Sequence, residues 1–105
     1  MFPDKIEIFQ PTVNRATKET TWLSLGETKA YVEDYDKTIY TGSGSEISPD
    51  FLVGIPKGAT IAKGYRVKLL TRHGVDVSAQ EVQKEVKQIH FAGAFHTSHL
   101  EAYLA

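Results

Sequence analysis

Three of the four histidines, His90, His96 and His99, lie close together in the sequence, and three imidazoles that converge are enough to hold a zinc ion. Their spacing argues against convergence. His90 falls in a stretch with strand alternation, and His96 and His99 are separated by two residues in a connection that follows a glycine. Glu101 is the one local carboxylate, and it would have to share a side with His99. Ordinary polar or capping histidines are the expectation, with no metal site. Ser98-His99 is no catalytic pair either, because adjacent residues on an extended chain point to opposite faces and no orienting acid accompanies them. Glu33, Asp34 and Asp36 raise the idea of paired carboxylates, but only Asp34 and Asp36 would share a face, as expected of an exposed acidic strand end. Gly42-x-Gly44 lacks the lysine and following helix of a phosphate loop. No catalytic constellation emerges, and no cofactor is implied.

Eleven aromatic residues, some beside bases as in Tyr65-Arg66 or with Lys37 near Tyr40, would suit a groove for single-stranded nucleic acid. The charge total speaks against such a dedicated binder. Twelve basic and thirteen acidic residues leave a net charge of -1, whereas nucleic-acid affinity comes mainly from phosphate neutralisation by a basic surface. The charge is nonetheless uneven: residues 27 to 50 hold six acids and two bases, and residues 51 to 87 hold seven bases and three acids. Two surfaces of opposite sign would favour head-to-tail contacts between copies, unless strand alternation mixes the charges in space.

The elements that must position these residues fit one small domain of 105 residues, 41% hydrophobic and without cysteine, so neither disulfides nor thiolate sites contribute. The opening Met1-Phe2-Pro3-Asp4 does not read as a targeting segment and no apolar run is long enough to span a bilayer; a soluble, cytosolic, unprocessed chain is expected. Lys5-Ile6-Glu7-Ile8-Phe9 alternates, with Ile6 and Ile8 on one face, and predicts a first strand at about 4 to 9, ended by Gln10-Pro11. Thr12 to Thr20 is polar and suits a hairpin tip or an extended arm. Thr28 to Tyr35 predicts a strand with Ala30 and Val32 inward. Asp36 to Asp50 contains Thr41-Gly42-Ser43-Gly44-Ser45 and predicts a long flexible loop, the best candidate for a functional one. Phe51 to Ile55, Tyr65 to Thr71 with Val67 and Leu69 inward, Glu85 to Phe91, and Leu100 to Leu104 complete six or seven short strands. Ala79 to Lys84 has room for one helical turn. An all-β fold follows, a small antiparallel β-barrel or sandwich with long flexible loops.

Taken in order, Asp4-Lys5-Ile6-Glu7-Ile8-Phe9, Lys29-Ala30-Tyr31-Val32-Glu33, the flexible loop, Phe51-Leu52-Val53-Gly54-Ile55-Pro56-Lys57-Gly58, Ile61 to Val67 around Lys63-Gly64-Tyr65, and Ser98-His99-Leu100-Glu101-Ala102-Tyr103-Leu104 resemble the head-closure proteins of long-tailed bacteriophages, also called stoppers or head-tail joining proteins. The likeness covers nearly the whole chain and rests on the order of turns and strands, not on a chemical signature. It implies a β-barrel subunit of a six- or twelve-fold homo-oligomeric ring in the virion neck, assembled in the bacterial cytoplasm. The ring would join a portal-adaptor ring to tail-terminator or tail-tube proteins and retain packaged DNA, which passes without sequence recognition; no reaction, membrane or cofactor is implied. By the same resemblance the loop at 36 to 50 is the channel gate, with Ile39, Tyr40, Thr41, Gly42, Ser43, Gly44, Ser45 and Glu46 around its tip. Asn14, Arg15, Thr17 and Lys18 would form an arm to the neighbouring subunit. A tail-terminator or minor capsid protein of the same virion, or a small nucleic-acid-binding β-barrel, is the alternative.

Overall fold

Alternating apolar residues can be buried on one face only if the sheet finds a second layer or closes on itself; this chain takes the second course. The computed structural model of the protein describes residues 2–40, 44–80, 83–92 and 99–105. Its main strands are β1 (Asp4–Val13), β2 (Thr20–Asp34), β5 (Phe51–Pro56), β6 (Arg66–Arg72), β8 (Gln83–Ala92) and β9 (His99–Leu104). Short strands β3 (Ile39–Tyr40), β4 (Glu46–Ile47) and β7 (Val75–Asp76) lie between them. The six main strands follow the order β1-β2-β5-β9-β8-β6, every neighbour antiparallel, and β6 pairs back onto β1, so that the sheet closes into a barrel.

The inward residues form the core. Ile6, Ile8, Ala30, Val32, Val53, Ile55, Val67, Leu69, Val86, Ala102 and Leu104 are all buried, and Phe51, Ala59, Ile61, Tyr65, Val77, Ile89 and Leu100 pack against them. The inward faces expected for Ile6 and Ile8, Ala30 and Val32, and Val67 and Leu69 are therefore the core. Phe51–Pro56 is apolar over most of its length because it lies between two neighbours, β2 and β9, with Val53 and Ile55 turned inward.

Two boundaries differ from the sequence expectation. The first strand does not end at Phe9 but continues through Gln10 and Pro11 to Val13, and β2 starts at Thr20, not near Thr28. The reason is that β6 leaves β1 at Phe9, where it pairs with Arg66. Beyond that point β1 is an edge strand, and an edge tolerates a proline whose missing N–H faces no partner. The helical turn expected at Ala79 to Lys84 is displaced: a single 3-10 turn covers Ser78–Gln80, and Gln83–Ala92 is already strand, with residues 81 and 82 outside the described ones. No α-helix occurs among the described residues.

One buried carboxylate fixes the barrel's opening strand. Asp4 is 1% exposed; its Oδ2 accepts the Val32 N–H at 2.9 Å and its Oδ1 the His73 N–H at 2.8 Å. His73 and Gly74, both at positive φ, form the two-residue hairpin turn between β6 and β7. One side chain thus ties together three separate segments of the chain.

Candidate functional site

The far half of the β1–β2 hairpin leaves the barrel. From Gln10 to Val13 and from Thr20 to Leu23 the two strands pair only with each other among the described residues. Where the hairpin leaves the barrel, one residue of β1 (Ile8, between Glu7 and Phe9) stands against two of β2 (Leu25 and Gly26, between Ser24 and Glu27), a bulge with Gly26 at φ 93°. A side chain at that φ would be strained, and the extra residue turns the hairpin away from the wall. Ser24 marks the same corner: its hydroxyl donates to the Glu7 carboxylate and accepts the Gly26 N–H.

At the tip, Asn14 holds the turn. Its side-chain oxygen accepts the Ala16 N–H at 2.9 Å, its carbonyl the Lys18 N–H, and Lys18 takes a φ of 59°. Asn14, Arg15, Thr17 and Lys18, the expected arm residues, are together there and all exposed. Along the stem Val13, Leu23 and Leu25 are also exposed, while Trp22 is half-buried under the Arg66 guanidinium, 4.1 Å from its ring centroid. That stacking ties Arg66, one of the bases considered for a nucleic-acid groove, to the root of the hairpin.

The loop from 36 to 50 has an internal structure that its composition did not announce. It leaves and returns at one point, because the Tyr35 N–H donates to the Asp50 carbonyl at 3.0 Å and the Asp50 N–H to the Leu104 carbonyl at 2.7 Å. Between these ends Ile39 pairs with Ile47 and Tyr40 with Glu46. Ile39 and Tyr40 thus have partners inside the loop itself. They also border a cavity of about 220 Å³ with Gln88, His90 and Tyr103 of the barrel's outer wall. Tyr35 stands edge-on to Tyr103, ring centroids 5.3 Å apart; burial first, then the neighbouring Tyr35 and Glu101, pushes the Tyr103 phenol above its ordinary range. Gly44 and Ser45 are described and exposed, whereas Thr41, Gly42 and Ser43, the expected tip of the gate, lie outside the described residues.

On the same outer wall, cross-strand register aligns Tyr31, Gly54, Glu101 and His90 in one row. Phe2, Tyr31 and His99 surround Gly54 and leave a cavity of about 220 Å³ above it. A Cβ on Gly54 would lie 3.4 Å from the Tyr31 ring and 3.6 Å from that of His99, so the glycine is the floor that lets these two rings close in. The Glu33 charge, with a hydrogen bond from the Tyr31 hydroxyl, raises the Tyr31 pKa, and Glu101 adds to it. His90, His99 and Glu101 do share a wall, yet no group of three or more metal-ligating side chains converges among the described residues. His96 and Ser98 lie outside those residues.

At one barrel mouth Asp34, Phe51, Leu69, Arg72, Val77 and Gln80 line a further cavity of about 330 Å³. Arg72 bridges to Asp34 at 3.3 Å and lies over the Phe51 ring, with its Nε buried and without a hydrogen bond among the described residues. Lys84 likewise bridges to Asp50 at 3.0 Å. Both pairs join the acidic stretch 27 to 50 to the basic stretch 51 to 87, so part of the asymmetry along the sequence is neutralised within the fold.

Compared with protein-family models, with curated proteins and with solved structures, the chain matches none of them.

Proposed function

We propose that this chain is a structural ring subunit of a virion neck, a head-closure protein that retains packaged DNA between a portal-adaptor ring and the tail. The observation that carries the proposal is the projecting hairpin. Among the described residues its backbone edges, β1 from Gln10 to Val13 and β2 from Thr20 to Ala30, have no strand partner outside the hairpin, and its apolar side chains Val13, Leu23 and Leu25 face solvent. A paired but uncovered hairpin is a surface for another protein, since an open edge left without a partner invites uncontrolled pairing. The closed barrel beside it needs no help to bury its core, which leaves the arm free for assembly.

In this reading the 36 to 50 excursion, anchored at both ends by Tyr35 and Asp50, is the part that faces the channel. Its acids Asp36 and Glu46 repel phosphate and let DNA slide. The test is DNA retention. Filled portal particles incubated with the wild-type chain should keep their DNA, and a chain lacking Thr41 to Ser45 should join the particles but fail to retain it. Retention by the deleted chain would remove the gate assignment, and failure of the wild-type chain to join portal particles would remove the neck assignment. A tail-terminator ring would use the same arm, and the position of its density in imaged particles separates the two.

A further inference from the structure

The outer-wall cavity over Gly54 has the chemistry of a cation site. Its walls are the rings of Phe2, Tyr31 and His99, and two carboxylates, Glu33 and Glu101, stand on the same face beside it. Aromatic faces carry negative charge, and a guanidinium or ammonium group placed against them is held more firmly when carboxylates stand at the rim. About 220 Å³ suits one such group and its stem, and falls below the usual size of a site for a drug-sized ligand, about 300–1,000 Å³. Glu101 forms no ion pair among the described residues, although the charged residues Arg72, Lys84, Lys87, Asp34, Asp50 and Glu85 do.

The same molecule presents a matching cation. Arg15 and Lys18 stand at the tip of the projecting hairpin, exposed, and neither enters an ion pair among the described residues. The hairpin runs four to five residues past the barrel on each strand, a reach of roughly 15 Å at 3.3 Å per residue. It therefore presents these charges well clear of its own wall. We propose that the cavity walled by Phe2, Tyr31 and His99, with Glu33 and Glu101 at its rim, receives the basic hairpin tip of a second copy of this chain, Arg15 foremost. Tip and cavity are different surfaces, so the contact is heterologous and repeats from copy to copy until it closes a ring or extends. This deepens the ring reading and rests on it for the presence of a second copy.

The experiment uses two full-length variants, each lacking one half of the contact. One carries R15A and K18A with its cavity intact; the other carries E33K and E101K with its tip intact. Sedimentation velocity of the wild-type chain up to about 1 mM, a range in which weak contacts become populated, should show concentration-dependent association. Each variant alone should associate at least about tenfold more weakly, by the size of a cation–π contact with a charge partner. An equimolar mixture should form a one-to-one complex and nothing larger, because only one tip and one cavity remain. Thermal melting checks that both variants are folded, and the milder E33Q, E101Q chain replaces the second if the lysines unfold it.

Association of the variants at wild-type strength, a mixture that forms no complex, or a wild-type chain that never associates would each overturn the proposal. So would a cavity variant that associates normally with itself but no longer joins portal particles, which would make another protein the occupant. These results leave the neck reading standing if the wild-type chain still joins portal particles, and that reading falls separately if it does not.

Discussion

Strands β1 and β2 each run through two regions of the molecule, and the same alternation has opposite outcomes in them. Within the barrel Ile6, Ile8, Ala30 and Val32 are 0 to 3% exposed; in the projecting hairpin Val13, Leu23 and Leu25 are 59, 57 and 38% exposed. Residue type does not explain the difference. Ile8 is covered because β6 pairs with β1 as far as Phe9 and the sheet then curves round on itself, while Leu23 has no strand beyond its own hairpin partner. Periodicity gives a residue its face, and only tertiary closure gives that face a cover. Exposed apolar side chains without a cover within their own chain, here on both faces of the hairpin, are the place to look for a partner.

The largest effect should come from a charge placed in the covered region. Val32→Asp or Val67→Asp should cost about 3–5 kcal/mol or more, enough to unfold a domain of this size, because the carboxylate would be buried without a partner. Leu23→Asp, the same change in kind on the uncovered region, should stay within about 0.5 kcal/mol. Urea unfolding followed by circular dichroism measures both, and equal losses would show that the hairpin is packed in solution.

Next in size is Asp4→Ala. It strands the buried N–H of Val32 and the part-buried N–H of His73, and should cost about 1–3 kcal/mol at the usual cost of leaving a buried donor unsatisfied. A loss below about 1 kcal/mol would mean that water reaches these groups. Smaller again is Gly26→Ala at the boundary between the regions, where a side chain must adopt φ 93°. About 1 kcal/mol is expected, with a change in the amide shifts of Ser24 and Glu7 by NMR as the sharper sign that the bulge has moved.

How much of this could be read beforehand follows the same division. The inward faces of three strands were legible because Ile6-x-Ile8, Ala30-x-Val32 and Val67-x-Leu69 alternate cleanly and closure covers all of them. The ends of β1 and β2 were not, since Pro11 is a stop signal unless the strand is an edge there, and edges are set by pairing between residues far apart in sequence. Asp4 was invisible for a similar reason: its two donors come from residues 28 and 69 positions away. The short pairing of Ile39 with Ile47 hides behind glycine and serine, whose abundance reads as turn. The cavity over Gly54 depends on three rings drawn from three segments, Phe2, Tyr31 and His99, and no spacing rule joins them.

If the barrel folds by itself and the hairpin serves association, the smallest effect on stability should accompany a large effect on assembly. The measurement is a paired one on the full chain with Val13→Thr, Leu23→Thr and Leu25→Thr: thermal melting, then sedimentation equilibrium over the concentration range in which the wild-type chain associates. A melting temperature within a few degrees of wild type and an association constant reduced at least tenfold are expected. A chain that melts far lower, or that associates as strongly as before, would contradict this separation of roles.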